Sequence, residues 1–468
     1  MQLFTNHSFN YEAEQIGQLF FPVNDNTLIH SELFEQSGTV SVKTKINCDG
    51  KEADGFFMSE CHEKRDYANC VKRSAFEAAK KLSDIPTPWG ILTGIRPSKP
   101  VRDMILRGKS DNEIISVLKN TYLVSEKKAS LALHIAKTEI NLLSENQKDI
   151  AVYIGIPFCP TRCIYCSFIS HDASRMIKLA PEYIQKLCDE ISKTSEIIKS
   201  LGMNIRTLYF GGGTPTSLTP AQIDTLLRAA ESSFDLSSCR EYTYEAGRPD
   251  TITPEKLDVL KSHGVNRISI NPQTCHNKTL ELIGRRHTYE DFLNAFSLAR
   301  SKDFSFINCD LIAGLPGEDE TDFEKSVNSI IDLAPENVTV HTLYIKRASA
   351  IGRMFAKEYK TDTVFNMVEL SSEKCVSSGY MPYYLYKQKT TLGNLENVGY
   401  AKKGFECLYN LDTMSDAMTV FALGAGGTTK LVRGSRIDRV FNFKNADEYI
   451  KRFDEIISRK ESVPNYFI

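Results

Sequence analysis

Hydrophobic positions along residues 151–344 follow two alternating spacings, one typical of buried β-strands and one typical of amphipathic helices. Six strand-like runs recur, and stretches with helical spacing lie between them. Two of these stretches open with Thr219-Pro220 and Thr253-Pro254, a pattern typical of helix starts. Six such units predict a parallel sheet that curls towards a barrel, with functional side chains at the carboxyl ends of its strands. The six runs are 151–156, 205–210, 241–246, 266–270, 305–312 and 337–344.

The pattern differs on both sides of this region. Residues 1 to about 85 alternate like a small α/β unit, and residues 98–147 have helical spacing. After about residue 350 the strand–helix alternation fades into a predicted helix, 363–378, and an aromatic strand, 382–386. The sequence therefore predicts an α/β protein with a partial (β/α)6 TIM-like barrel, an N-terminal α/β plus helical extension, and a smaller C-terminal α+β domain. The predicted boundaries are 1–147, 148–350 and 351–468.

Composition narrows the class of protein. The 468 residues fit about three domains. Charged residues make up 25% and the net charge is −2, so no overall field attracts nucleic acid or anionic lipid. The first residues, MQLFTN, carry no basic leader, and no apolar run approaches the roughly 18 residues of a membrane span. We expect a cytoplasmic monomer without nucleic-acid or membrane partners.

Three of the twelve cysteines have the spacing of metal ligands. Cys159, Cys163 and Cys166 directly follow the first strand run, separated by three and two residues, on a loop that Pro157 and Pro160 stiffen. Soft thiolates favour zinc, copper(I) or an iron–sulfur cluster. Three thiolates on a four-iron cubane would leave one iron open to bind a small molecule. A structural zinc site with His171 as fourth ligand is the alternative.

Polar or glycine positions recur where the successive strand runs end. Such residues are individually more common as turn, capping or surface residues, and a glycine run also suits an ordinary strand–helix turn. Their recurrence beside the cysteine loop instead indicates one ligand site across the edge of the sheet. These positions are Gly211, Gly212, Gly213, Thr214, Glu245, Gln273, Arg285 and Asp310.

The cysteine spacing, with Tyr165 in the aromatic position, resembles the CxxxCx(aromatic)C signature of the radical S-adenosylmethionine (SAM) enzymes. The run Gly211-Gly212-Gly213-Thr214-Pro215 looks like their GGxTP element, which holds the amino-acid part of SAM. The resemblance implies a [4Fe–4S] cluster on the three cysteines, with SAM chelated at the open iron. It further implies an electron donor of the flavodoxin or ferredoxin type, whose electron cleaves SAM to a 5′-deoxyadenosyl radical. The implied fold is the radical SAM barrel.

Residues 150–345 resemble more closely the family of oxygen-independent coproporphyrinogen III oxidase (dehydrogenase). The runs YIGIPFC at 153–159, NRISI at 266–270 and DLIAGLP at 310–316 carry this resemblance. Residues 89–99 and 386–400 look like the HemZ variant, which has an extra N-terminal domain. The implied catalytic residues are Tyr153, Cys159, Cys163 and Cys166. The implied cofactor-binding residues are Tyr165, Gly211, Gly212, Gly213, Thr214, Glu245, Gln273, Arg285 and Asp310.

The resemblance implies a function in anaerobic heme biosynthesis, oxidative decarboxylation of coproporphyrinogen III to protoporphyrinogen IX. The chain departs from the best-studied branch at Gly155, which is His there, and at Phe168, where a fourth cysteine stands. Two alternatives stay open: a heme-binding chaperone or trafficking protein, and a radical SAM enzyme that acts on heme by methyl transfer or ring opening. The substrate carries four carboxylates, so basic residues are candidates for binding it. By position these are Arg162, Arg286, Lys346 and Arg347.

Overall fold

A four-stranded sheet covered by two helices forms the first part of the chain. The computed structural model describes residues 1–21, 26–166, 177–344, 361–388 and 392–467. The sheet has the order β1-β2-β3-β4, with β1 parallel to β2 and the other pairs antiparallel. A Cβ on Gly55 would lie 2.0 Å from the Ser74 carbonyl oxygen, so only glycine lets α2 pack this closely on β4. The elements are β1 Gln2–Thr5, α1 Asn10–Phe20, β2 Thr27–Gln36, β3 Thr39–Cys48, β4 Lys51–Glu60 and α2 Lys64–Lys80.

Three helices follow and complete the N-terminal extension. Ser110 and Ser125 cap two of them, because each hydroxyl accepts a hydrogen bond from a backbone N–H in the first turn. The buried faces include Ile114, Leu118 and Ile135, which agrees with the helical spacing in the sequence. The helices are α3 Ser98–Leu106, α4 Asp111–Asn120 and α5 Glu126–Leu142.

The central region contains six parallel strands in chain order, which confirms the predicted α/β architecture. Helices connect successive strands, and Thr219 caps one of them in a reciprocal pair with Gln222, as the Thr-Pro motif predicts. The register aligns Ile156 of β5 with Gly212 of β6, and Glu245 of β7 with Ser269 of β8. The elements are β5 Asp149–Ile156, α6 Ala180–Ser200, β6 Asn204–Gly212, α7 Pro220–Ser233, β7 Glu241–Glu245, α8 Pro254–Ser262, β8 Arg267–Ser269, α9 Asn277–Leu282, α10 Tyr289–Ser301, β9 Phe306–Ala313, α11 Glu320–Asp332 and β10 Asn337–Thr342.

The C-terminal strands extend this sheet on both sides. β12 pairs antiparallel with β10, whereas β13 pairs in parallel with β5. The sheet has eleven strands in the order β11-β12-β10-β9-β8-β7-β6-β5-β13-β14-β15, and within the described ranges it stays open. The elements are α12 Thr361–Ser377, β11 Met381–Lys387, β12 Glu396–Ala401, α13 Leu408–Met414, β13 Thr419–Leu423, β14 Thr428–Arg433, β15 Arg436–Phe441, α14 Ala446–Lys451, α15 Phe453–Glu461 and α16 Pro464–Phe467.

A buried polar network joins the N-terminal extension to the large sheet. The indole Nε1 of Trp89 donates to Glu396 Oε2 of β12 at 2.6 Å, and Lys128 Nζ of α5 lies 2.5 Å from Glu396 Oε1. Burial opposes ionisation of Glu396, but the charge of Lys128 and the Trp89 hydrogen bond bring its pKa below the ordinary value. The N-terminal extension therefore contacts the large sheet through paired charges. The division of the chain into three domains stays a prediction. No helix in the described part of the chain is long and apolar enough to cross a bilayer.

Candidate functional site

The predicted site residues lie where the parallel strands of the large sheet end. Because all six central strands run in one direction, their carboxyl ends meet at one edge of the sheet. Several polar side chains there keep part of their surface exposed although the strands that carry them are otherwise buried. They lie on one face of the sheet, and we call this partly exposed region the recess. Its half-buried side chains are those of Tyr153, Tyr209, Glu245, Asp310, His341, Tyr386 and Tyr409.

The cysteine loop, residues 157–166, is anchored on the turn after α9. Ile164 N donates to the Ile283 carbonyl oxygen at 3.1 Å, and the Thr161 hydroxyl donates to the Gly284 carbonyl oxygen at 2.8 Å. Gly284 has a φ of +80°, and a Cβ there would lie 2.9 Å from the Arg162 carbonyl oxygen. The loop and the turn are thus held in contact by backbone geometry that the sequence spacing alone does not show.

The three ligand-spaced thiols lie within electrostatic reach of one another. Cys159 Sγ is 3.1 Å from Thr214 Oγ1 of the glycine-rich turn. Burial raises the pKa of the Cys159 thiol to about 12; the nearby sulfurs of Cys163 and Cys166 add to this rise, and the Thr214 hydroxyl and Arg248 oppose it. A cationic metal centre would reverse this balance, because coordination deprotonates thiols.

The donor set fits a cubane cluster. Among the described residues, no three His, Cys, Asp or Glu side chains stand close enough to share a single metal ion. In a cubane cluster each thiolate binds a different iron. Three soft sulfur donors on one short loop suit this chemistry. His171, the fourth ligand of the zinc alternative, lies outside the described residues, as does Phe168.

The glycine-rich turn after β6 packs directly beneath the cysteine loop. Gly213 N donates to the Ile156 carbonyl oxygen at 2.8 Å, and Thr214 N donates to the Phe158 carbonyl oxygen at 2.7 Å. A Cβ on Gly213 would lie 2.5 Å from that same Phe158 oxygen, and Gly212 has a φ of +115°. These positions require glycine, so the run both shapes the turn and exposes backbone to the recess.

Glu245 ends β7 and faces the same turn. It accepts hydrogen bonds from the Tyr209 hydroxyl at 2.5 Å and from Gly212 N at 3.3 Å. Burial raises the pKa of Glu245 to about 7; the Tyr209 and Gly212 donors oppose the rise, and the charge of Asp310 adds to it. This carboxyl therefore changes charge near neutral pH, where a bound cation would favour its ionised form.

Asp310 on β9 is the second carboxylate of the recess. Asn308 Nδ2 donates to it at 2.7 Å, and His341 Nε2 on β10 lies 3.5 Å from it. Burial works against ionisation, but His341 and Asn308 outweigh it and lower the pKa of Asp310 below its ordinary value. Gln273 is joined to the backbone of Asp310, because its N–H donates to the Asp310 carbonyl oxygen at 3.0 Å. The φ of Gln273 is +69°, in the left-handed region.

Tyr165 belongs to the cysteine loop, and Arg285 lies next to it. Arg285 Nη1 donates to the Asn271 carbonyl oxygen at 2.6 Å, whereas its buried Nε has no partner among the described residues. Burial raises the pKa of Tyr165, and the neighbouring Arg285 opposes this rise. A buried guanidinium with an unused donor suits an anionic ligand.

Tyr153 closes the recess on the β5 side. Its ring centroid is 6.2 Å from that of Tyr209 and 6.1 Å from that of Tyr409, and these two rings stack at 4.2 Å. A Cβ on Gly212 would lie 3.2 Å from the Tyr153 hydroxyl, which places this hydroxyl above the glycine-rich turn. Tyr153 thus connects the aromatic wall with the turn and Glu245.

The sequence analysis did not predict five residues of the site, which are Tyr209, Tyr386, Tyr409, His341 and Arg248. Tyr209 stands two residues before Gly211 on the same face of β6, so the period of two in a strand is a signal for it. Tyr409 belongs to a helix far along the chain, and no sequence pattern points to it. Of the basic substrate candidates, Arg162 and Arg286 are exposed on the loops at the rim, and Lys346 and Arg347 lie outside the described residues.

Comparisons with known proteins agree with this arrangement. The model of the radical SAM superfamily matches residues 153–330, which include the cysteine loop and the strand ends. The oxygen-independent coproporphyrinogen-III oxidase-like protein HemZ of Bacillus subtilis (strain 168) is 38% identical over 430 residues, 87% of this chain and 86% of that protein. The heme chaperone HemW of the same strain is 33% identical over 288 residues, 59% of this chain and 69% of that protein.

One solved structure bears on the fold. Coproporphyrinogen III oxidase (HemN) from Escherichia coli, a radical SAM enzyme, superposes with a TM-score of 0.55 over 70% of this chain and 72% of that chain. The sequence identity of 22% makes this a likeness of architecture.

Proposed function

Since the chain belongs to the radical SAM superfamily and, within it, to the family of oxygen-independent coproporphyrinogen-III oxidase-like proteins, we propose that it oxidatively decarboxylates two propionates of coproporphyrinogen III to vinyl groups. Each conversion releases carbon dioxide, one hydrogen atom and one electron from the substrate. The similarity to HemZ over 87% of the chain supports this substrate. The superfamily uses a [4Fe–4S] cluster and SAM, which when bound supply one-electron chemistry that removes a hydrogen atom from carbon.

One observation supports the proposed cluster and SAM site. Charged side chains of both signs lie at the same edge of the sheet as the three thiols. We propose that Cys159, Cys163 and Cys166 hold three irons. The carboxylates of Glu245 and Asp310 would accept hydrogen bonds from the SAM ammonium or ribose hydroxyls. The guanidinium of Arg285, whose Nε has no partner among the described residues, would bind the SAM carboxylate. Further proposed contacts are those of Tyr153, Tyr165, Gly211, Gly212, Gly213, Thr214 and Gln273.

The recess also suits the proposed partner molecules. Its tyrosines form an aromatic wall next to the two carboxylates, and the four pyrrole rings of a porphyrinogen offer aromatic surface for such side chains. Arg162 and Arg286, exposed at the rim, are the described candidates for its carboxylates. The physiological reductant is proposed to be of the flavodoxin or ferredoxin type, acting on a cytoplasmic monomer.

A second function is a heme-binding chaperone, favoured by the 33% identity with HemW. An anaerobic assay with dithionite, SAM and coproporphyrinogen III separates the two. Decarboxylated porphyrinogen, seen by mass as stepwise loss of carbon dioxide and two hydrogens, supports the oxidase. Deoxyadenosine without such products contradicts it. Tight, stoichiometric binding of heme without turnover would establish the chaperone, and methylated or ring-opened heme would establish the third alternative.

Tyr209→Phe tests how Glu245 takes part in SAM binding. The lost hydroxyl favours the ionised carboxylate, so its removal is expected to raise the pKa of Glu245 above about 7. A cationic ligand binds the ionised form, so SAM affinity should increase with pH through neutrality in the unmodified protein. In the variant this increase should move to higher pH. One pKa unit corresponds to about 1.4 kcal/mol, so the affinity at pH 7 should fall up to about tenfold.

The measurement is the dissociation constant of SAM between pH 6 and 8.5, on anaerobically reconstituted protein. Tyr242→Phe is the matched control, because the buried Tyr242 hydroxyl has no hydrogen-bond partner in the part of the chain that the structure describes. If the pH profile of SAM affinity in Tyr209→Phe coincides with that of the control, ionisation of Glu245 does not contribute to SAM binding.

A further inference from the structure

Arg248 follows β7 and extends its side chain towards the cysteine loop. Only 3% of this side chain is exposed. Its Nε and Nη2 donate to the two carboxylate oxygens of Asp250 at 2.9 and 3.0 Å. Its Nη1 donates to Thr161 Oγ1 at 2.9 Å and points at Cys163 Sγ at 3.8 Å. The guanidinium is thereby held in one orientation, with one of its edges on Asp250 and the other on the loop.

The anchoring continues on both sides of this guanidinium. The Thr251 hydroxyl donates to the Arg248 carbonyl oxygen at 2.7 Å, which fixes the backbone that carries the side chain. Thr161, which accepts from Arg248, donates in turn to the Gly284 carbonyl oxygen. The contact with Cys163 is therefore built by three separate segments of the chain, the loop, the turn after β7 and the turn after α9. It does not depend on a flexible surface side chain.

Positive charge prevails around the Cys163 sulfur. Arg285, also buried, lies close enough to this thiol for the two charges to interact. His287 lies next to this group, with Nδ1 at 3.8 Å from Asp250, and its imidazole is neutral because burial and then Arg285 lower its pKa to about 3. Two guanidinium groups thus lie near the sulfur, and within the described ranges Asp250 is the carboxylate that pairs with Arg248.

Reduction adds a negative charge to an iron–sulfur cluster. Hydrogen bonds to its sulfurs and nearby positive charge stabilise the reduced state more than the oxidised state, which makes the reduction potential more positive. We propose that Arg248 is a positioning residue that directs a hydrogen bond at the Cys163 sulfur and raises the reduction potential of the cluster bound there. This rests on the proposed assignment of Cys163 as a cluster ligand. The consequence is that a weaker physiological reductant suffices to deliver the electron.

The test is a potentiometric titration, followed by electron paramagnetic resonance, of anaerobically reconstituted protein without SAM or substrate. In Arg248→Gln the ratio of reduced to oxidised cluster, at the midpoint potential of the unmodified protein, should fall about tenfold, or 59 mV for one electron. Arg248→Lys retains the positive charge but loses the planar set of guanidinium N–H donors, so the shift of its midpoint potential should be smaller. Arg228→Gln on exposed α7 is the matched control and should leave the midpoint unchanged.

A second variant tests the proposal even if Arg248→Gln fails to bind iron. Its midpoint potential is expected to shift in the opposite direction. Asp250→Asn keeps Arg248 and removes the negative charge that offsets it, so its midpoint should become more positive. An unchanged midpoint in Arg248→Gln with full iron content overturns the proposal, because Arg248 is then only a structural tether. If Arg248→Gln binds no iron, an unchanged midpoint in Asp250→Asn overturns it. Absence of an iron cluster from the unmodified protein would instead refute the proposed ligand assignment itself.

Discussion

Alanine at Cys159, Cys163 or Cys166 is expected to abolish the iron–sulfur cluster. Anaerobically reconstituted protein should contain about four irons per chain, and each variant well under one, because three thiolates supply all the proposed protein ligands of the cubane. Reductive cleavage of SAM should fall below detection at the same time. Iron and sulfide analysis, with the visible absorption of the cluster, measures the first effect, and deoxyadenosine formation measures the second.

Cys188→Ala is the matched control for this loss. Cys188 lies half-buried on α6, outside the strand ends, and its replacement should leave the iron content unchanged. Stoichiometric zinc without iron in protein purified and kept anaerobic would contradict the cluster. Full iron content in all three alanine variants would contradict the ligand assignment.

Glu245→Ala and Asp310→Ala are expected to weaken SAM binding roughly ten- to a hundredfold while the cluster remains. A hydrogen bond to a charged group contributes about 1.5–3 kcal/mol, and each carboxylate would lose at least one such bond to the ligand. Neither side chain has a hydrogen bond to the cysteine loop among the described contacts, so iron content should be retained. Equilibrium binding of SAM to reconstituted protein, with iron determined on the same samples, gives both quantities.

Glu255→Ala, on the exposed first turn of α8, is the control for removal of a carboxylate outside the recess. Its SAM affinity should equal that of the unmodified protein. Unchanged affinity in both Glu245→Ala and Asp310→Ala, with the cluster intact, would contradict the proposed SAM site. A loss of iron together with SAM affinity would mean that the carboxylates act on the fold of the loop.

The local sequence pattern was sufficient to predict the strands of the central sheet. The predicted runs are rich in β-branched and aromatic residues, and all six correspond to β5–β10. The helix starts at Thr219 and Thr253 depend on residues within one turn, and the predicted caps are present. The cysteine loop was identifiable because its three thiols are close in sequence. Each of these features is local, so the sequence carries it directly.

Contacts between segments that are distant in the sequence could not be predicted in this way. β13 lies beside β5 although more than 260 residues separate them, and this pairing brings the C-terminal segment to the site. Tyr409 stacks on Tyr209 because Glu241 accepts hydrogen bonds from Leu408 N and Tyr409 N at the start of α13. The buried indole of Trp89 in the N-terminal extension donates to the buried Glu396 of β12. Such contacts depend on which elements become neighbours after folding.

By itself the sequence determined the α/β architecture, the position of the cysteine loop and the polar strand ends, because strand direction alone brings those ends to one edge. The tertiary structure decided the charge of the site. Glu245 and Asp310 are both carboxylates at strand ends, yet burial with Tyr209 leaves the first with a pKa of about 7, whereas His341 and Asn308 hold the pKa of the second below its ordinary value. Protonation is set by neighbours on other strands, and spacing along the chain carries no record of them.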